Sequence, residues 1–193
     1  MTPLRLAILI SGRGSNMAAL SRAVSSGELR GLCRIAAVIS NEPNAAGIEL
    51  ARDLGHPTVV VPSAGLDTVS YGARLLNALA AIRPDWIALA GFMRIISPEI
   101  VARYQDRIVN IHPADTRAYQ GPDGYGWAHQ AGLDKTWITV HRVDNGIDTG
   151  EILEQAEVDL GGAETLDEIR ARGLIVEHSL YPRVLARLFT EVC

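Results

Sequence analysis

A doubly wound α/β fold, with a mostly parallel sheet between helices on both faces, is predicted by three observations in this 193-residue chain. Short, near-continuous apolar runs recur up to Ile111, helix-length segments separate them, and strand and helix alternate without a break. Strands covered on both faces lack the polar alternation of half-solvated ones. Regular strand–helix alternation is the pattern of a parallel sheet.

The predicted strands are "LAILIS" (residues 6–11), "RIAAVIS" (34–40), "TVVVP" (58–62), "DWIALAG" (85–91) and "RIVNI" (107–111). The helices between them are expected at 16–26, 45–54, 68–82 and 98–104. After Ile111 the rhythm changes: a loop rich in Pro, Gly and Asp is expected over 113–126. Two strands follow, 136–143 and 152–160, joined by "DNGIDTG", with the last strand antiparallel. A long C-terminal helix over about 166–189 closes the chain. No repeat or linker interrupts it, so residues 1–193 form one domain.

A net charge of −4 argues against a broad nucleic-acid surface, which needs clustered Lys and Arg. Two cysteines, Cys33 and Cys193, are too few for a disulfide framework and are expected as reduced thiols. The apolar run near the N-terminus is too short to span a membrane. The cytoplasm is therefore the expected compartment, without membrane or nucleic-acid partners.

Two stretches carry chemistry. "SGRGSNMAAL" follows the first strand and opens a helix. Gly12 and Gly14 let a ligand approach the backbone, and the free N–H groups of a helix start attract an anion. The competing reading is a tight turn in which Ser15 or Asn16 caps the helix. A dinucleotide fingerprint is incomplete, because Met17 replaces the third glycine and the second strand closes on Ser40 and Asn41, with Glu42 just beyond. No G-K-[ST] is present, which excludes a Walker loop.

The second stretch is "RIVNIHPAD". Asn110 and His112 are two apart on a strand and share one side of its end. The carboxyl ends of parallel strands are where ligands bind. An amide can donate to a developing oxyanion and an imidazole can move a proton near neutral pH. Asp148 in "GIDTG" is the best candidate to orient the imidazole. Such a trio fits addition of a nucleophile to a carbonyl. Without an obvious Ser or Cys nucleophile, direct transfer between bound substrates is favoured. The structural alternative is a strand-capping Asn, a His satisfied by backbone and an Asx-turn at Asp148.

The chain resembles the glycinamide ribonucleotide formyltransferase family through "LISGRGSNMAAL", "AVISNEPNAAGIELA", "LAGFMRIISPEIV", "RIVNIHP", "TVHRVDNGIDTGEIL" and "EHSLYPRVL", in the family's order and over nearly its whole length. The resemblance implies a Rossmann-like domain whose N-terminal half binds phosphate and whose C-terminal half binds folate and is catalytic. It implies a substrate phosphate held by Gly14, Ser15 and Asn16, a substrate sugar held by Glu177, and catalysis by Asn110, His112 and Asp148. Leu89, Met93, Arg94, Ile95, Ile96, Val101, Val143 and Asp144 would line the folate cleft. The co-substrate would be 10-formyltetrahydrofolate and the acceptor the amine of glycinamide ribonucleotide. No metal is expected, and the protein would be a monomer or homodimer. In the implied mechanism Asp148 raises the His112 pKa, and protonated His112 stabilises the tetrahedral oxyanion with Asn110.

Two stretches depart from the family pattern. "HPADTRAYQGPDGYGWAHQAG" replaces a small hydroxyl residue, a Leu-rich run and a His-rich loop, with Ala114, Asp115, Tyr125, Gly126 and Trp127 at the altered positions. This favours, as an alternative, a formyltransferase of the same fold acting on a different amine. Thr68, Val69 and Ser70 stand where the family has a basic residue for the folate tail. Two sibling enzymes carry an extra domain that 193 residues would not hold: methionyl-tRNA formyltransferase and formyltetrahydrofolate hydrolase. A non-catalytic binding protein is disfavoured by the intact trio. His141 lies on a strand near the site, and Trp127 is either a surface plug or a wall of the site.

Overall fold

A computed structural model describes residues 2–192. Seven strands form one sheet in the order β3-β2-β1-β4-β5-β6-β7. The strands are β1 (Leu4–Ile10), β2 (Cys33–Ser40), β3 (Thr58–Val60), β4 (Trp86–Leu89), β5 (Ile108–His112), β6 (Lys135–Arg142) and β7 (Ile152–Asp159). β1 to β5 pair in parallel; β6 runs against β5, and β7 against β6. The helices are α1 (Ser15–Ser26), α2 (Ala46–Asp53), α3 (Thr68–Ile82), α4 (Pro98–Arg103), α5 (Gly124–Gln130) and α6 (Leu166–Val192).

The apolar runs are buried on both faces because alternate residues serve alternate layers. Leu6, Ile8 and Ile10 of β1 pack with Met17 and Leu20 of α1, Ile48 of α2 and Leu185 of α6. Ala7 and Leu9 face the other way, against Tyr71, Leu75 and Leu79 of α3 and Ile100 of α4.

The loop expected over 113–126 is shorter than its composition suggested, because α5 begins at Gly124. "GYGWAHQ" has weak helix propensity, with two glycines in its first turn. Burial of Tyr125 and Ala128 in the core supplies what propensity does not. Asp123, at φ 61°, caps the helix by accepting from the Gly126 N–H at 3.2 Å.

Strand order reverses between β1 and β4, the switch point at which open sheets leave a crevice beyond the strand ends. The wholly buried Tyr181 of α6 ties together the two strands beside this switch point. Its hydroxyl donates toward the carbonyls of Leu89 (3.1 Å) and Val109 (2.9 Å), one on each of β4 and β5. Tyr181→Phe leaves those carbonyls without the hydroxyl and should cost about 1–2 kcal/mol, the usual scale for a buried hydrogen bond. Urea denaturation of the two proteins checks this, and equal unfolding free energies would contradict it.

Candidate active site

The Gly-rich turn opens α1 with Gly14 in the left-handed region at φ 79° and no side-chain cap on the helix. Ser15 and Asn16 therefore do not serve as the capping residues of the competing reading. Gly14 is packed so closely that a Cβ would lie 2.9 Å from the Gly47 Cα. The Gly47 N–H in turn donates to the Gly12 carbonyl at 3.0 Å. Ser11 ties the turn sideways, accepting from the Met93 N–H at 2.7 Å and donating to Asn41 at the end of β2. The polar strand end that did not fit a dinucleotide site thus braces the turn. Above it opens a cavity of about 230 Å³ lined by Ser11 to Asn16 and by Ala90, Gly91 and Met93. Uncapped N–H groups facing a cavity at the positive end of a helix suit an anion.

Asn110, His112 and Asp148 come together at the adjacent strand end. The Asn110 amide donates to Asp148 Oδ1 at 3.1 Å, and His112 Nδ1 lies 3.5 Å from Oδ2. Asp148 sits at φ 52°, a conformation that Asp tolerates better than most residues. The loop carrying it is pinched at its neck. Arg142 and Glu151 pair through backbone (2.9 Å) and side chains (3.0 Å), and a Cβ at Gly150 would overlap the Arg142 carbonyl. The Gly121 N–H donates to Asp148 Oδ2 at 3.0 Å, tethering the divergent segment to the carboxylate.

A fourth group joins the trio. Antiparallel pairing sets His141 of β6 opposite Asn110. His141 Nδ1 lies 2.7 Å from the Arg142 carbonyl, and Nε2 lies 3.2 Å from Asn110 Nδ2 and 3.4 Å from Asp148 Oδ1. The Asn110 amide nitrogen is thus within reach of both Asp148 and His141. Only its place on a strand marked His141 in the sequence; the register that aligns it with Asn110 is a tertiary feature.

Two opposing effects act on the His112 imidazole. Burial lowers its pKa below the ordinary 6.5 and outweighs the opposing pull of Asp148, and His141 lowers it further. The upward pull expected from Asp148 is present, but desolvation outweighs it. Burial alone would raise the Asp148 pKa; the contact with His141, the Gly121 N–H and the nearby imidazoles reverse this and hold it below the usual range. His112 Nε2 is buried and has no partner among the described residues. Beyond it a stack of aromatic rings rises from the divergent segment: Tyr119 lies 6.3 Å from His112 and Trp127 4.9 Å from Tyr119, both pairs within 16° of parallel. Trp127 therefore stands behind Tyr119, packed against the core and one ring removed from His112.

Leu89, Ile96, Val101 and Val143 share one apolar cluster at the expected cleft, while Met93 (65% exposed) and Ile95 (52%) stand at its surface. The Arg94 guanidinium is turned away, donating to the Leu66 carbonyl at 2.8 Å and lying 5.5 Å over the Tyr71 ring. It leaves only its backbone for a ligand. Asp144 shapes its own loop, accepting from the Gly146 N–H (3.0 Å) and the Thr149 hydroxyl (2.7 Å). Glu177 is buried (5% exposed), and both its oxygens are taken, one by the Asn16 amide and the other by the Tyr125 hydroxyl. Burial raises its pKa against the opposing effect of these two donors. Nothing in the sequence marked Tyr125 beyond its place in the divergent segment. No His, Cys, Asp or Glu group among the described residues is arranged to hold a metal ion. Among the described residues no helix is long and apolar enough to cross a membrane.

The glycine turn and the carboxylate–imidazole–amide cluster lie at the carboxyl ends of β1 and β5, an arrangement suited to group transfer at a carbonyl. Residues 4–185 match the family described as Formyl transferase, and the chain belongs to that family. It is 35% identical over 184 residues to phosphoribosylglycinamide formyltransferase of Escherichia coli, covering 95% of this chain and 86% of that protein. It is 38% identical over 185 residues to the trifunctional purine biosynthetic protein adenosine-3 of Drosophila melanogaster, but spans only 14% of that longer chain. Among solved structures, phosphoribosylglycinamide formyltransferase from Bacillus halodurans superposes with a TM-score of 0.91 at 32% identity, covering 98% of this chain and 97% of the other.

The titration of His112 can be followed by NMR of its imidazole. Wild-type His112 should titrate below 6.5. Asp148→Asn removes the group that opposes desolvation, so the midpoint should fall further. A wild-type midpoint above the ordinary value would contradict this electrostatic account.

Proposed function

We propose that this protein transfers the formyl group of 10-formyltetrahydrofolate to the amine of glycinamide ribonucleotide, a step of de novo purine biosynthesis. The carrying observation is the buried Nε2 of His112, without a partner while Nδ1 faces Asp148. The Gly14–Asn16 turn takes the acceptor's phosphate, and the cleft beside residues 89–96 takes the pterin. A flat heterocycle suits apolar walls edged by free backbone groups, here those around Arg94 and in the loop before Asp148.

The acceptor's amine attacks the formyl carbon, and the carbonyl electron pair moves to oxygen. Neutral His112 takes the amine proton on Nε2. The resulting imidazolium donates that proton's hydrogen bond to the oxyanion, and Asp148 balances its charge. Asn110 releases one N–H from Asp148 or His141 to become the second oxyanion donor. Collapse of the tetrahedral intermediate expels the folate nitrogen, which takes the proton from His112. The nucleophile and the leaving group are both nitrogens of bound substrates, so no enzyme nucleophile is used.

The altered 113–130 segment favours a second reading, transfer to a different amine on the same fold, because its aromatic rings form one side of the site. A formyl-transfer assay of glycinamide ribonucleotide against a panel of amines decides between the two. A marked preference for the ribonucleotide supports the first reading, and a better amine lacking the phosphoribosyl group overturns it.

Asn110→Ala should lose roughly 10²–10³ in turnover, the scale for one oxyanion donor. His112→Ala should lose at least as much, since it removes both donor and proton carrier. Asp148→Asn should fold yet transfer slowly. Double variants should cost much less than the product of the single losses, as expected of groups acting as a unit. Near-normal turnover in folded Asp148→Asn protein, or independent multiplying losses, would refute these roles. With Val69 at the tail-binding stretch, affinity should change little between folates with and without a glutamate tail. Competitive inhibition by a matched pair of folate analogues checks this; strong discrimination would contradict it.

A further inference from the structure

Asp115 is one of the positions at which the chain departs from the family pattern, and its carboxylate is tied back to the sheet. Strand register places His112, Thr139 and Gln155 in one row across β5, β6 and β7. Residues directly opposite each other on paired strands share a face. Thr139 is wholly buried; its hydroxyl donates to the Ala114 carbonyl at 2.6 Å and accepts from the Gln155 amide at 2.8 Å. The same amide donates to Asp115 at 3.1 Å. Arg117 closes the ring, its guanidinium donating to both Asp115 oxygens (3.0 and 2.9 Å) and to the Gln155 side-chain oxygen (3.0 Å). A bidentate Arg–carboxylate pair fixes geometry as well as adding energy. Arg117 holds the Asp115 carboxyl at about 2, well below the usual range, so this clasp stays charged wherever His112 titrates.

The clasp lies at the root of the turn that meets the catalytic cluster. The Asp115 carbonyl accepts from the Ala118 and Tyr119 N–H groups (2.9 and 2.8 Å). Beyond that turn the Tyr119 ring stacks beside His112, and the Gly121 N–H reaches Asp148. The Asp115 carboxylate itself bonds only Arg117 and Gln155 among the described residues.

We propose that Asp115 is a positioning residue for His112: clasped by Arg117 and Gln155, it fixes the turn so that Tyr119 shields the imidazole and Gly121 steadies Asp148. This rests on the reading of His112 as the proton carrier of the transfer. A shielded ring is desolvated and stays neutral, the form that can accept a proton. Releasing the turn admits water to the ring and loosens the direction of Nε2, and small misalignments of a reacting group are costly.

The first test needs no turnover. The His112 midpoint is followed by NMR in the wild-type protein, in Asp115→Ala and in Gln155→Ala. Asp148, His141 and the Tyr119 ring face the imidazole, and neither variant removes them. Burial is the largest influence on the midpoint and holds it below 6.5; the Tyr119 backbone, which raises it, is the smallest. Both variants should therefore move the midpoint up toward 6.5, and the double variant should move it no further than Asp115→Ala, as for parts of one network. Lys135→Ala breaks an exposed ion pair with Glu157 at the start of β6 and should leave the midpoint unchanged. An unmoved midpoint in folded Asp115→Ala and Gln155→Ala protein, or an equal rise in Lys135→Ala, overturns the proposal. Turnover of glycinamide ribonucleotide is measured alongside. In Asp115→Ala kcat should fall roughly 10–100-fold with KM little changed, because alignment is lost and not ground-state binding. An unchanged kcat, or a loss confined to KM, overturns the positioning role. If the wild-type protein formylates a different amine instead, the purine-substrate reading has failed; the kinetic comparison is then made with that amine, and the NMR outcome decides the proposal as before.

Discussion

The carboxylate of Asp148 ties two loops to the paired end of β5 and β6. Asn110 on β5, His141 on β6, His112 at the end of β5 and the Gly121 N–H of the following segment all address its two oxygens. A charge this deeply set is stable only when hydrogen-bonded and paired. The surrounding backbone is therefore arranged to supply those partners: a left-handed Asp148, a pinched loop neck and an antiparallel β5–β6 register. Had β6 slipped by one residue, His141 would face the opposite layer and the carboxylate would lose a neighbour.

The same arrangement explains why His112 is suited to taking a proton during the proposed reaction. A nearby carboxylate would ordinarily hold an imidazole charged. Burial opposes that and wins, so the resting ring is biased toward the neutral form with Nε2 bare. Asp148 then stabilises an imidazolium that exists only once a proton has arrived. Electrostatic support of this kind acts on the charge that develops during the reaction and not on the ground state.

At the start of α1 the glycine turn and the divergent segment are connected through Glu177. The segment of 113–130 thus contacts both regions: Gly121 and Tyr119 reach the catalytic cluster, and Tyr125 reaches the carboxylate beside Asn16. Substitution in this segment therefore changes what surrounds the strand ends while leaving the strands intact, because loops vary more freely than the strands that carry them.

The α/β class, the strand positions and the pairing of Asn110 with His112 were legible in the chain itself, because apolar runs, helix spacing and the two-residue period of a strand are local properties. The glycine turn that opens α1 was legible for the same reason: Gly12, Gly14 and the helix start are contiguous. Asp148 could be named only as a candidate from its Gly-flanked loop. Tertiary structure alone decided the rest. The direction of the His112 pKa shift depends on burial, which no local pattern reports. The alignment of His141 with Asn110 depends on strand register. The occupation of Glu177 depends on Tyr125, 52 residues away, and on Asn16, 161 residues away. α5 forms from a glycine-rich stretch that would not be helical by itself, because the core takes up Tyr125 and Ala128. In each case the deciding free energy comes from desolvation or packing between distant segments, and those terms exist only once the chain has folded.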